Sequence, residues 1–138
     1  MAAAAPDGDG ELVGRRQQGL AGAHGATAEV ELIHGYPVTV NHDAAAAFAL
    51  DTARRVLGDH QALEMPTPVM GAEDWSYVLQ EVNGAMAFLG TRPKGVPPHE
   101  VAPNHSNRMV LDEDAMAAGI ATYAAVALRW LDGQGQPA

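Results

Sequence analysis

Hydrophobic and polar residues alternate strictly along TAEVELI, residues 27–33. Ala28, Val30 and Leu32 fall on one side of an extended chain and the polar residues on the other, which predicts a strand with one face in water. The run AMAFLG, residues 85–90, is apolar and closes on a glycine. It predicts a second strand that is covered on both faces.

A helical spacing of apolar residues, with acidic residues at the start or glycine at the end, predicts four helices. They are residues 11–25 with Gly25 as the C-cap, residues 43–58, a short helix whose first turn carries Glu73 and Asp74, and a last helix from Asp112. The predicted buried faces are Ala45, Phe48, Ala49, Thr52 and Val56 in the second helix, Trp75, Val78, Leu79 and Val82 in the third, and Met116, Ile120, Tyr123, Ala127 and Leu131 in the last.

Two features of the first forty residues predict how the chain is divided. Residues 1–10 are mainly Ala, Gly, Pro and Asp, and they are too poor in large apolar groups to offset the entropy of ordering. They are expected to form a disordered or artificial start. Pro37 cannot donate to a strand ladder, so the first strand is expected to lie at a sheet edge or to leave its sheet there, with a boundary near Asn41.

Composition narrows the class of protein. The 138 residues fit one domain or part of one. The net charge of −9, from 17 acidic and 8 basic residues, disfavours nucleic acid and anionic membranes as partners because both would be repelled. The absence of cysteine excludes disulfides, thiolate metal sites and cysteine nucleophiles. No apolar run approaches the roughly 18 residues of a membrane span, and the acidic flank of MAAAAPDGDGEL is unlike a signal peptide. A soluble cytoplasmic protein is expected.

A loop of about twenty residues, 91–110, separates the second predicted strand from the last helix. Connections longer than about 12–15 residues are uncommon in compact domains and are usually functional or disordered. Four prolines favour disorder, whereas the position of the loop and its cluster of polar side chains favour a site. A single loop histidine is more often solvated than a ligand, so the residues alone make this loop a candidate and no more. The cluster is His99, Asn104, His105, Ser106 and Arg108.

The segments MGAEDWSYVLQEVNGAMAFLGT and PNHSNRMVLDEDAMAAGIATYAAVAL resemble the C-terminal part of the M20 metallopeptidase family, in its branch of hippurate hydrolases and N-acyl-amino-acid amidohydrolases. ELIHGYPVTVNHD resembles the chain that leaves the family's lid or dimerisation domain and re-enters its catalytic domain. The resemblance implies an α/β fold, in which residues 11–40 end the lid/dimerisation domain with its last helix and strand. Residues 41–133 would form part of the Zn-peptidase-like catalytic domain, a mixed sheet flanked by helices, and residues 134–138 a tail.

The resemblance also implies roles for single residues. His105 matches the last metal-binding histidine of the family, and Asn104, Ser106 or Asp112 could orient its ring through the second nitrogen. Arg108 could receive a substrate carboxylate or be simply solvated.

Three further loop and helix residues have less definite roles. Glu73 and Asp74 match the ED segment of the family, either as acids at a helix N-terminus or as groups that support the metal ligands or the substrate wall. His99 has no firm counterpart.

The activity implied by the resemblance is hydrolysis of the amide bond of N-acyl amino acids or similar small amides. Two divalent ions, zinc or manganese, would activate a water whose proton a glutamate takes. The chain has neither a His-x-Asp segment nor an adjacent Glu-Glu pair, so no catalytic residue is expected in it.

Such a chain is expected to be an inactive C-terminal fragment that cannot bind the ions alone. It would be completed by a missing N-terminal half or a homo-oligomer. The alternative is a non-catalytic acidic α/β binding or interaction module.

Overall fold

The computed structural model describes residues 8–133, with side chains from residue 10 onward. It contains α1 (Gly8–Ala23), α2 (Asp43–Leu57), α3 (Trp75–Glu81) and α4 (Ala115–Leu131), with a short 3-10 helix at Pro98–Glu100. The expected disordered start falls outside the described residues except for residues 8–10, which open α1, and the expected tail at 134–138 also falls outside. Within the described part, no helix is long and apolar enough to cross a membrane.

The predicted helix 43–58 is confirmed as α2, and the residues at its two ends explain where it begins and ends. Asp43 lies in the first turn, where a carboxylate is favourable beside the positive end of the helix dipole. Gly58 follows the last helical residue with a φ of 92°, a conformation that side-chain-bearing residues rarely adopt, and donates its N–H to the Arg54 carbonyl at 2.8 Å. Of the predicted buried face, Thr52 is buried, Ala45, Phe48 and Ala49 are half-buried, and Val56 is 38% exposed.

The expectation of a mixed sheet is not met, because residues 8–133 contain no strand. Both predicted strands, 27–33 and 85–90, are irregular. A strand is stabilised by hydrogen bonds to a neighbouring strand, and the described residues provide no such neighbour for either segment. The two segments therefore have the side-chain patterns of strands without the hydrogen-bonded neighbour that a strand needs.

Hydrogen bonds from the residues just before α2 hold the segment 85–90, although no strand pairs with it. The Asn41 side-chain amide donates to the Met86 carbonyl at 3.1 Å, and its oxygen accepts the Met86 N–H at 2.7 Å. His42 donates its N–H to the Gly84 carbonyl at 2.9 Å. One asparagine thus satisfies both backbone groups of Met86, as a strand neighbour would do.

The chain divides into two units. The first contains residues up to Val40 together with Met70–Val82, and the second contains Asn41–Val69 together with the chain from Asn83. Residues Met70–Val82, which were expected within 41–133, group with the first unit. In that unit the rings of Tyr36 and Tyr77 meet edge to face, with centroids 5.9 Å apart.

The predicted buried face of the third helix is wrong at three of its four residues, whereas Leu79 is half-buried. Trp75 is 41% exposed, and Val78 and Val82 are also exposed, whereas Ser76 is buried. The Ser76 hydroxyl donates to the Glu73 carbonyl at 2.7 Å, so the buried polar group is satisfied within its own helix turn. Within the described part of the first unit, α1 does not pack on α3 to cover its apolar face.

In the second unit α2 packs against α4 through a polar and aromatic cluster. Arg129 Nη1 lies 2.5 Å from the Thr52 hydroxyl and 2.9 Å from an Asp51 carboxylate oxygen. Its guanidinium lies 5.0 Å from the centroid of the Phe48 ring, which also meets Trp130 edge to face at 5.9 Å. Thr52 is fully buried, and its hydroxyl donates to the Phe48 carbonyl at 2.7 Å.

The predicted inward face of α4 is also wrong. Tyr123 is 83% exposed and Leu131 79%, and Met116, Ile120 and Ala127 are exposed as well. The partly buried side of α4 is instead the side that carries Arg129, and it is built largely from small residues. A face of small residues lets two helix backbones approach closely, which explains why α4 turns this side inward. The partly buried residues are Ala115, Ala118, Gly119, Thr122, Ala125, Val126 and Arg129.

Candidate functional site

The long loop between residues 91 and 110 is a series of hydrogen-bonded turns. Three of its prolines each accept, through the carbonyl oxygen, the N–H of the residue three positions later. The pairs are Pro93 with Val96 at 3.2 Å, Pro97 with Glu100 at 3.0 Å, and Pro103 with Ser106 at 3.2 Å. Proline fixes φ near −65°, which favours such turns, so the residues that suggested disorder give this loop its local order.

The loop is also tied to the chain that follows it. The Asp112 N–H donates to the Thr91 carbonyl at 2.9 Å and closes the base of the loop. Lys94 pairs with Asp114 at 2.6 Å, and Arg92 donates to the Val96 carbonyl at 2.5 Å. The Lys94 pair is exposed, so it contributes at most about 1 kcal/mol, and the backbone bond is the firmer constraint.

His105 occupies the most unusual backbone position of this loop. It has a φ of 65°, and among residues 8–133 it is the only non-glycine residue with a positive φ. It is the third residue of the Pro103–Ser106 turn, where a type II turn requires a positive φ and usually contains glycine or asparagine. A side chain in this region costs about 1–2 kcal/mol, a strain that is found most often at functional sites.

The His105 imidazole is exposed, and neither of its nitrogens makes a hydrogen bond to another described residue. The groups predicted to orient it are engaged elsewhere. Ser106 Oγ accepts the Arg108 N–H at 3.2 Å, and Asp112 Oδ1 accepts the Asp114 N–H at 3.1 Å. Asn104 is exposed beside it. The turn therefore presents the ring without fixing its rotation.

Glu73 and Asp74 lie in the first unit, immediately before α3. Glu73 Oε1 accepts the Trp75 N–H at 3.3 Å, and its carbonyl accepts the Ser76 N–H at 3.2 Å. The Asp74 carbonyl accepts the Tyr77 N–H at 3.0 Å. These are the contacts of residues that begin a helix.

An open concavity of about 420 Å³ lies on the loop itself. His99 and Arg108 line it, whereas Asn104, His105 and Ser106 do not. Its walls come mostly from apolar residues that the sequence analysis did not select. Isolated valines within a polar, proline-rich loop were the available signal, since such residues usually need something to cover them. The lining is Pro93, Val96, His99, Glu100, Val101, Ala102, Pro103, Arg108 and Val110.

Within the described part of the chain, no three His, Cys, Asp or Glu side chains come together as a metal site. A catalytic zinc site takes three protein ligands and an open position. His105 alone does not meet that requirement, so the described residues do not fit a metal by themselves.

Comparison with known proteins places this loop in a family. The sequence profile of Peptidase family M20/M25/M40 matches residues 5–129. Thermostable carboxypeptidase 2 of Saccharolobus solfataricus is 35% identical over 114 residues, which are 80% of this chain and 27% of that protein. The putative amidohydrolase YhaA of Bacillus subtilis is 33% identical over 113 residues, 82% of this chain and 28% of that protein. IAA-amino acid hydrolase ILR1-like 6 of Arabidopsis thaliana is 34% identical over 97 residues, 70% of this chain and 20% of that protein.

The chain thus spans between a fifth and little more than a quarter of the length of these relatives. No solved structure matches it significantly. The profile covers 125 consecutive positions, from residue 5 to residue 129, and includes the whole loop 91–110. The chain belongs to Peptidase family M20/M25/M40.

Proposed function

We propose that this chain supplies one metal ligand, His105, and part of the substrate wall of a divalent-metal-dependent amidohydrolase. The substrates are N-acyl amino acids or similar small amides. The observation that carries the proposal is the exposed imidazole held at a positive φ inside a hydrogen-bonded turn, within the part of the chain that matches the family. Glycine and asparagine are the commonest residues at that position, and the steric cost of a larger side chain held there supports a role for the ring.

The relatives support the class of reaction. Their names describe a carboxypeptidase, an amidohydrolase and a hydrolase of IAA-amino acids, and the first and last of these names point to substrates that contain an amino acid. Members of this family generally depend on divalent metals. Zinc and manganese both accept imidazole as a ligand.

The chain is proposed to act as one part of a larger catalytic unit. The other metal ligands and the glutamate base would come from residues outside this chain, because no metal cluster exists within residues 8–133. As isolated, it is expected to hydrolyse no N-acyl amino acid. Turnover by the purified chain that depends on added zinc or manganese, and that a chelator abolishes, would contradict this division of roles.

A chimera tests the role of His105. Residues 5–129 of this chain replace the matching segment of the Saccharolobus carboxypeptidase, and both metal content and hydrolysis of N-acyl amino acids are measured. His105→Ala is expected to lower metal content and to reduce kcat/KM by about 100-fold or more, since a lost ligand costs at least what a lost supporting group costs.

The matched control is His60→Ala, which removes an exposed histidine of the same unit that lies outside the loop. It is expected to leave metal content and kcat/KM unchanged. If the chimera keeps its metal and its rate after His105→Ala, the proposal is wrong. Equal losses from both variants would indicate a general folding defect and would also count against it.

A further inference from the structure

We propose that the Asn83–Gly84 pair is a site of spontaneous covalent modification, at which asparagine is converted into aspartate and isoaspartate. The pair follows α3 and precedes the segment 85–90, and neither residue lies in a helix or a strand. The reaction needs no metal and no substrate, so the site stands apart from the proposed function.

The reaction begins when the Gly84 backbone nitrogen attacks the side-chain amide carbon of Asn83. The new C–N bond replaces the bond to the side-chain nitrogen, which leaves as ammonia, and a cyclic imide (a succinimide) results. Water then opens the ring on either side of the Gly84 nitrogen. Opening at the side-chain carbonyl gives aspartate on a normal backbone, and opening at the main-chain carbonyl gives isoaspartate, whose backbone runs through the side chain. Water is the only co-reactant.

The residue after Asn83 favours ring closure. Among the four asparagines of the sequence, Asn83 is the one that glycine follows. Glycine has no Cβ atom, so its nitrogen is poorly shielded and its backbone dihedral angles can follow the closing ring. After the other three asparagines the attacking nitrogen belongs to a histidine or an arginine, whose side chain crowds it.

Both reacting groups of the pair are free of hydrogen bonds to other described residues. Asn83 is exposed, and its side-chain amide makes no hydrogen bond. The Gly84 N–H donates to no acceptor, whereas a backbone N–H in a helix or sheet would first have to break its bond. The Gly84 carbonyl accepts the His42 N–H at 2.9 Å, but this carbonyl takes no part in ring closure.

Asn41, in the same unit, shows the opposite arrangement. Its side-chain oxygen accepts the Met86 N–H at 2.7 Å, and its side-chain amide donates to the Met86 carbonyl at 3.1 Å. The nitrogen that would attack it, that of His42, is engaged with the Gly84 carbonyl. Both reacting groups are held, so Asn41 is expected to resist the reaction that Asn83 undergoes.

The two products change the chain differently. Each replaces a neutral amide by a carboxylate and adds a negative charge to a chain of net charge −9. Isoaspartate also inserts an extra methylene into the backbone immediately before Gly84. It is therefore expected to weaken the bond between Gly84 and His42 and the pairing of Asn41 with Met86, which together hold the segment 85–90.

Incubation of the purified 138-residue chain tests the site. Samples are kept at mildly acidic and mildly alkaline pH, and the intact mass and peptide maps are followed with time. Asn83 is expected to convert before the other asparagines. Conversion is expected to be faster at alkaline pH, because the lone pair of a peptide nitrogen is delocalised and the nitrogen attacks after losing its proton. The chain unfolded in guanidinium chloride gives the rate of the unconstrained sequence, which the folded chain is expected to approach.

Variants assign the reaction to the pair. Asn83→Gln is expected to abolish it, because the longer side chain would close a larger and less favoured ring. Gly84→Ala is expected to slow it, because a Cβ atom shields the nitrogen. The matched control Asn107→Gln, at an exposed asparagine, is expected to leave conversion at Asn83 unchanged. Aspartate–glycine pairs elsewhere in the sequence also form isoaspartate, but without the mass gain of deamidation, so mass and peptide mapping together identify the product of Asn83.

Hydrogen exchange separates the effect of the backbone from that of the charge. The isoaspartate form, purified by chromatography, is expected to exchange the His42 and Met86 N–H groups faster than the native chain. Asn83→Asp carries the same added charge on a normal backbone and is expected to exchange like the native chain. Native exchange rates in the isoaspartate form would contradict the predicted loosening of the segment 85–90.

Three results overturn the modification site. They are an intact Asn83 in the folded chain under conditions in which the unfolded chain converts, conversion of Asn104 or Asn107 as fast as that of Asn83, and a rate that Gly84→Ala leaves unchanged. The first would show that the fold protects the pair, and the second that the following glycine has no influence. The third would exclude attack by the Gly84 nitrogen as the limiting step.

Discussion

A single dihedral angle at His105 links the sequence of the loop to its function. The residue holds a φ of 65° in a turn closed by the 3.2 Å bond from the Ser106 N–H to the Pro103 carbonyl. Asparagine precedes it and serine follows it, and both residue types favour turns. Neither neighbour removes the steric cost that the Cβ atom of His105 incurs at positive φ.

Substitution at His105 is therefore expected to change turn stability in a direction set by φ. His105→Gly relieves about 1–2 kcal/mol of strain and loses about 0.5–1 kcal/mol to the greater freedom of the unfolded chain, so the turn is expected to become slightly more stable. His105→Val is expected to weaken it, because a β-branched residue tolerates positive φ poorly.

Hydrogen exchange of the Ser106 N–H measures this effect, since that group closes the turn. The glycine variant should exchange as slowly as the native chain or more slowly, and the valine variant faster. Asn107→Val, one residue beyond the turn, is the control and should leave Ser106 unaffected. Identical exchange in the glycine and valine variants would show that the positive φ costs the chain nothing.

The pairing of α2 and α4 depends on a charge whose state changes with pH. Arg55, which donates to Asp51 at 2.8 Å, lowers the pKa of that carboxyl below its ordinary value of 3.8; partial burial opposes this, and Arg129 lowers it further. A carboxyl whose pKa is lower in the folded state stabilises that state while it is ionised. Its contribution is complete above the ordinary pKa and is lost as the pH falls through the lowered one.

The helix pair is therefore expected to lose stability below about pH 4, and Asp51→Asn is expected to lose less between about pH 6 and about pH 3 than the native chain does. Urea unfolding followed by circular dichroism measures the free energy of unfolding at each pH. Asp59→Asn, an exposed acid of the same unit, should keep the native pH dependence. The same loss in the Asp51 variant and in the native chain would exclude a role for this pair.

Gly119 of α4 faces the Leu89 side chain of the segment 85–90. A Cβ atom added there would lie 2.9 Å from Leu89 Cδ2, the far end of a side chain that is itself 47% exposed and free to shift. Alanine gains about 1 kcal/mol over glycine inside a helix. That gain exceeds the cost of moving a flexible side chain, so Gly119→Ala is expected to stabilise the chain by about 0.5–1 kcal/mol.

Thermal unfolding tests the balance, with Gly119→Val as the comparison. Valine adds two further methyl groups and is expected to push the 85–90 segment away and to destabilise. A lower midpoint for Gly119→Ala than for the native chain would mean that Leu89 is held more firmly than its exposure indicates.

Helices were predictable from this sequence and strands were not, for a physical reason. A helix satisfies its backbone within one segment, so the acidic start and glycine end of α2 were enough to define it. The segments 27–33 and 85–90 keep their strand patterns, but a strand exists only when a neighbour supplies hydrogen bonds. Family membership implies an α/β fold, and the described residues alone do not form its sheet.

The site was predictable to the extent that it depends on residue type. His105 and Arg108 stood out as polar residues in a long loop. In the structure His105 has an unusual backbone conformation, and Arg108 lines the concavity. The positive φ of His105 was not predictable, because no glycine marks the Pro103–Ser106 turn. The orientation of α4 was not predictable either, since it carries large apolar residues on one side and small ones on the other. Contacts such as that between Arg129 and Thr52 favour the orientation in which the side with small residues packs on α2.

At the scale of the whole molecule, exposed apolar surface dominates. Among residues 10–133, Ala62 is the one buried hydrophobic side chain, at 7% exposure. Met70 is 95% exposed, and Ile33 is 80% exposed. Soluble monomers rarely leave contiguous apolar patches of more than a few hundred Å² in water. This apolar surface is expected to be buried against a partner. For the isolated chain, the available partner is another copy of itself.

We therefore expect the isolated chain to self-associate and to bind a hydrophobic dye, with association that increases with salt. The net charge of −9 repels like copies, and added salt screens that repulsion while the apolar attraction remains. Sedimentation velocity at low and high ionic strength, with dye fluorescence in parallel, measures both effects. Ile120→Glu and Tyr123→Glu place charge on the exposed face of α4 and should reduce association while helix content stays the same. A dye-silent monomer at every salt concentration, with one sharp unfolding transition, would instead show that these 138 residues form a self-sufficient domain.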